Sequence, residues 1–129
     1  MTSDPSQDQE ALALLTTART HLARIRTLAE TGNARDEHDP DDLNTAFRAV
    51  HSLAGVLQSE VKFSGHVLCN RLDDMRMGKL PLSATNLDQV IAGVELLARK
   101  LETPDAVEAA AFAKMERELA ELGQQARSS

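Results

Sequence analysis

The residues best suited to chemistry in this chain lie in the stretch LNTAFRAVHSLAGVLQSE, residues 43–60, where His51 sits within a helix-forming run. Side chains three and four positions apart share a helix face. The neighbours of the imidazole are therefore Ala54 and Gly55, which leave it uncovered. Glycine inside a helix costs about 1 kcal/mol relative to alanine, so something other than helix stability favours Gly55. A neutral imidazole nitrogen is a nucleophile near neutral pH, and an uncovered one can meet a partner's reacting group. Gln58 continues the same side of the helix. Arg48, one turn before His51, could steer phosphate oxygens or an acidic pocket, and reads equally well as part of a solvated face.

A second pair of candidates, His66 and Cys69, stands at i, i+3 on one helix face. With His51 they would supply three ligands of the kind that zinc or copper takes. No fourth ligand has a matching position, and a lone cysteine is commonly a small buried hydrophobe, so neither a metal nor another cofactor is expected. Asp41 and Asp42 complement the dipole of a helix start and do not read as catalytic acids. His21 and His38 read as ordinary surface histidines.

Helices must position these groups, because no run alternates with period two over a strand's length. The first stripe is Ala11, Leu15, Ala18, Leu22, Ile25 and Ala29, widened by Leu12 and Leu28, which predicts a helix over residues 7–31 with Ser6 and Gln9 as a capping box and Gly32 as its stop. GNARDEH follows as a loop. Asp39 then caps a second helix with Pro40 in its first turn, lined by Leu43, Phe47, Val50, Ala54 and Leu57 and fading near QSEVKF. A shorter third helix carries Leu68, Leu72 and Met75 and ends at Gly78, and GKLPLS is a connector. Ser83 caps a fourth helix with Leu87, Val90, Ile91, Val94, Leu97 and Leu101. Thr103, Pro104 and Asp105 repeat the capping pattern for a fifth, lined by Val107, Ala111, Met115, Leu119 and Leu122, before a fraying tail GQQARSS. Five amphipathic helices with short links predict an all-α fold, an antiparallel four-helix bundle with an additional C-terminal helix. The chain reads as a single domain over residues 1–129, with its ordered core at 6–124.

Composition narrows the function classes. A formal charge of −6 over 129 residues, without clustered Lys and Arg, argues against nucleic acid and anionic membrane as partners. Trp and Tyr are absent and Phe occurs three times, so the core must be aliphatic and base stacking is not on offer. No run approaches the ~18 apolar residues of a membrane span, the start MTSDPSQDQE has no leader pattern, and the single cysteine suits a reducing compartment. A soluble cytoplasmic protein is expected.

LNTAFRAVHSLAG resembles the phosphoacceptor signature of histidine phosphotransfer (HPt) domains, in particular the domain that begins CheA-type chemotaxis histidine kinases. EALALLTTARTHLARI resembles that domain's first helix, and HVLCNRLDDMRMGKLPL its third helix and following turn, so the resemblance spans residues 9–101. It implies a phosphocarrier and not an enzyme. His51 would accept a phosphoryl group from a histidine kinase ATP-binding domain and pass it to the aspartate of a response-regulator receiver domain. Receivers would dock over His51, Ala54, Gly55 and Gln58. The chain departs from the family at two positions: Ala54 stands where a lysine is usual, and Cys69 where the chemotaxis branch places a carboxylate, with His66 matching a histidine one turn earlier. The interval from His51 to Gly78 is about one helical turn shorter than in the family. A degenerate HPt fold that binds a receiver or kinase without phosphotransfer, and a structural helical adaptor, are the alternative readings.

Overall fold

The computed structural model describes residues 5–32, 34–57, 59–103 and 109–128. The described residues are all-α: α1 (Pro5–Ala29), α2 (Ala34–Glu37), α3 (Pro40–Val56), α4 (Ser59–Arg76), α5 (Ala84–Glu102) and α6 (Ala109–Ser128). Five are long, and α2 is a single turn inside the stretch read as a loop. Burial of Ala34, at 2% exposure, gives that turn its anchor. No helix among the described residues is long and apolar enough to cross a membrane.

The helix starts and stops follow local chemistry. α1 begins at Pro5, which puts Ser6 inside its first turn. Asp39 caps α3 by accepting the Asp41 N–H, with Pro40 at the start of the helix where a missing N–H costs nothing. Ser83 caps α5 in the same way through the Asn86 N–H. Gly32 and Gly78 take φ of 79° and 78°, the left-handed conformation that ends a helix and that side chains resist. The pattern Thr103, Pro104, Asp105 falls differently: Thr103 is the C-cap of α5, and Pro104, Asp105 and Val107 lie outside the described residues. α6 runs through the tail to Ser128, with Ala126 buried.

The largest departure from expectation is α4. It begins at Ser59 and takes SEVKF into the helix, because Val61, Ser64, Gly65 and Leu68 continue the inward-facing spacing of Leu72 and Met75 back by two turns. Only Leu57 and Gln58 separate it from α3.

Packing is aliphatic throughout. Leu15, Leu22, Ile25, Val50, Leu53, Leu68, Leu72, Leu87, Val90, Leu97 and Leu119 are all below 2% exposed, and full burial of one such side chain contributes about 1.5–3 kcal/mol. α1 packs against α3 and α5, α3 against α4, and α4 against α5, while α6 lies against α4 and α5. Polar ties join the same pairs. Arg26 of α1 holds Asp88 of α5 through two hydrogen bonds of 2.6 and 3.3 Å, and the Ser64 hydroxyl of α4 donates to Glu116 of α6 at 2.6 Å. Arg71 of α4 donates to the Leu119 carbonyl, crossing α6 where Gly123 has no side chain to obstruct it.

Two histidines read as surface residues are structural. His38 is half-buried with Nδ1 2.6 Å from the Ala34 carbonyl, and His21 is half-buried with Nδ1 2.6 Å from Asp42 Oδ1. Both acceptors are oxygens that cannot donate, so Nδ1 carries the hydrogen in each case. Asp42 thus does more than face the helix dipole, since His21 and Arg24 of α1 both reach it across to α3. The hydrogen bond from His21, followed by that from Arg24, holds the Asp42 carboxyl below the ordinary carboxylate range against the opposing effect of burial. A lowered folded-state pKa means stability that is present above the unfolded pKa and lost as pH falls through the folded one. Asp42→Asn should therefore lower the urea midpoint at about pH 7, with the gap to the parent protein narrowing steadily below about pH 4. Paired urea titrations across that range measure it.

Candidate functional site

α3 buries Leu43, Ala46, Ala49, Val50, Leu53 and Ala54 on one side, and His51 falls just outside that stripe. Its ring is exposed, as are Arg48 one turn before and Gly55 one turn after. A Cβ built on Gly55 meets nothing within 4 Å, so no packing within the described chain calls for glycine there. The effect of the glycine is to leave open surface beside the imidazole.

α4 supplies the other half of the site. Gly65 lies at the seam with α3, where an added Cβ would come within 3.6 Å of Ala54 Cα and 2.7 Å of Leu57 Cδ1. From that crossing the two helices run in opposite directions. One turn along α4, Cys69 faces His51, and two turns further Arg76 faces Phe47. Cys69 Sγ is 3.8 Å from His51 Nδ1, with Cys69 itself 8% exposed. The Phe47 and His51 rings stack with centroids 6.0 Å apart at 23°, and the Arg76 guanidinium carbon sits 4.2 Å over the Phe47 ring. Asp73 holds Arg76 in that pose through hydrogen bonds of 2.7 and 3.2 Å. The imidazole is thus one end of a stack of guanidinium, phenyl and imidazole, with a thiol at its inner nitrogen.

The thiol can pair with either tautomer of the ring. Burial first, and then the nearby Asp73 carboxylate, push the Cys69 thiol up from its ordinary value, with Arg76 pulling the other way. It keeps its hydrogen at neutral pH, and S–H donated to Nδ1 goes with the tautomer that carries the ring hydrogen on Nε2. A carboxylate at this position would do the reverse, accepting Nδ1–H and leaving Nε2 with a free lone pair.

The remaining sequence candidates divide. Arg48 and His66 are exposed, and neither has a hydrogen-bond or ion-pair partner among the described residues. Ala54 is 3% exposed and lies in the α3–α4 seam, so it is beneath the surface on which it was expected. Gln58 lies outside the described residues. No trio of His, Cys, Asp and Glu among the described residues is grouped to hold a metal ion. Phe47, Asp73 and Arg76 were not singled out from the sequence. The signal was present in spacing, since Phe47 is four residues before His51, and Asp73 and Arg76 are four and seven after Cys69.

No protein-family model matches the chain.

The tautomer can be read directly. Side-chain 15N shifts of His51 at neutral pH should show Nε2 protonated in the parent protein. In Cys69→Glu, whose longer side chain brings an oxygen to about 2.8 Å, they should show Nδ1 protonated. Cys69→Ala should give a mixture.

Proposed function

We propose that this chain is an HPt-like signalling protein, an antiparallel four-helix bundle with an additional C-terminal helix, in which His51 is the phosphoacceptor. The observation that carries this reading is an exposed histidine in the middle of α3, flanked one turn on by a glycine that the fold does not require. In the proposed step the ring takes the tautomer with its hydrogen on Nδ1, and the Nε2 lone pair this frees attacks the γ-phosphorus of ATP held by a kinase ATP-binding domain. The N–P bond forms as the bond to the ADP oxygen breaks, and the Nδ1 hydrogen is lost to solvent. A receiver-domain aspartate then takes the phosphoryl group from the nitrogen. Both partners must approach in line with Nε2 and bring their own metal and charges, which is why open surface matters more than a built pocket. Arg48, exposed one turn before His51, and Arg76, held over Phe47, are the cations we propose for the role that a lysine at position 54 would play. The setting is a cytoplasmic two-component or chemotaxis-type pathway.

A second reading has its own support. A thiol donating to Nδ1 goes with a ring hydrogen on the attacking nitrogen, and the buried Ala54 offers no charge, so the same surface would suit a protein that binds a receiver or kinase without carrying phosphate.

Incubation with candidate kinases and labelled ATP, followed by acid treatment, separates the two. A carrier gives acid-labile label that His51→Gln abolishes. With two supporting interactions altered, each worth about 1–2 kcal/mol, labelling should be about ten- to several-hundredfold slower than in an intact HPt domain, and Cys69→Glu should recover part of that loss. Gly55→Gln should block receiver binding, read by calorimetry, without unfolding the helices. Unlabelled protein that still binds a receiver through Gly55 would establish the second reading.

A further inference from the structure

A cavity of about 570 Å³ lies at the end of the helices where α1 and α4 finish and α5 begins. Leu43, Met75 and Leu80, all buried, give it an apolar floor. His38, Arg76 and Lys79 also line it, and no acidic residue does so among the described residues. The chain as a whole carries a formal charge of −6. Two cationic side chains and an imidazole thus border one apolar space in an acidic protein. The size falls within the range of pockets that take small organic ligands.

The backbone around the cavity has the same polarity. Ser83 and Ala84 bring the start of α5 to the wall, and that helix has no acidic residue in its first turn, so its positive end is not neutralised. The end of α4 would oppose an anion, but its last carbonyls are already engaged: Asp74 accepts from Lys79 and Leu80, Met75 from Gly78, and Asp73 from Met77. His38 spends Nδ1 on the Ala34 carbonyl, which leaves Nε2 as its remaining polar atom.

We propose that this cavity binds a small organic anion, one carboxylate on an apolar body, with the carboxylate held by Arg76 and Lys79 and the body on Leu43, Met75 and Leu80. Arg76 also belongs to the stack over Phe47 and His51, where Asp73 is its present partner. A bound carboxylate competes with Asp73 for the guanidinium, so occupancy of the cavity alters the surroundings of His51 through Phe47, which touches both Arg76 and the imidazole. The binding itself does not depend on His51 carrying phosphate.

The test uses octanoate as the probe, with octan-1-ol and octylammonium as neutral and cationic controls, titrated into the 15N-labelled full chain. Octanoate is expected to give saturable amide shifts at Ala29, Gly32, Leu80 and Ala84, with further shifts of the Phe47 and His51 rings. The alcohol and the ammonium should each bind at least about tenfold more weakly. Arg76→Gln with Lys79→Gln should weaken octanoate by about tenfold or more while circular dichroism keeps the helical signal. Equal affinity for alcohol and carboxylate, unchanged octanoate affinity in the double variant, or no saturable shift at millimolar octanoate would each overturn the proposal. A loss of phosphotransfer without loss of octanoate binding would count against the role of His51 alone.

Discussion

The close approach of α3 and α4 at Ala54 and Gly65 is the constraint on which the site depends. A Cβ added at Gly65 would rest in ordinary contact with Ala54 and displace the end of the Leu57 side chain, so the two helices meet here with little room between them. From that crossing the pairings follow in order: Cys69 meets His51, then Arg76 meets Phe47. The same geometry explains why position 54 holds a small apolar residue. A lysine there would have to lead its ammonium out of a seam in which alanine is nearly covered.

Rigidity at the site comes from the start and the middle of α3. Near its start, Asp42 is clasped by His21 and Arg24 of α1, and in its middle Val50 and Leu53 are fully buried. An imidazole carried by a helix fixed in this way has its orientation set by backbone and packing, which suits a group that must meet large partners in a defined line. The stack on Phe47 restricts the ring further, and the Asp73–Arg76 pair closes the stack from α4.

Much of this was legible in the chain before any coordinates. The apolar stripes of α1 and α5, the caps Asp39 and Ser83, and the stops Gly32 and Gly78 are written in spacing and residue type, and the described helices follow them. The start of α4 was not, because Ser59, Glu60 and Lys62 dilute the apolar signal and only Val61 continues the stripe. Nor were α2, which rests on the burial of one alanine, and the structural duty of His21, which depends on a carboxylate 21 residues away. At the site, exposure of His51 agrees with its place at the edge of the α3 stripe, whereas Cys69 beside it was implied by the resemblance of its run and not by periodicity. The burial of Ala54 and the Arg76 stack required the crossing of two helices, which no single helical wheel contains.

The two-residue link between α3 and α4 also bears on how the chain reaches this structure. Neighbours in sequence that pack on each other close small loops, and small loops cost little entropy, so α3 and α4 can pair early and quickly. The contact between α1 and α5 is of another kind, since Arg26 and Asp88 lie 62 residues apart and their pairing closes a long stretch of chain. The half of the molecule that carries His51 and Cys69 thus belongs to the locally encoded part of the fold. The seal on the core depends on its most distant ends.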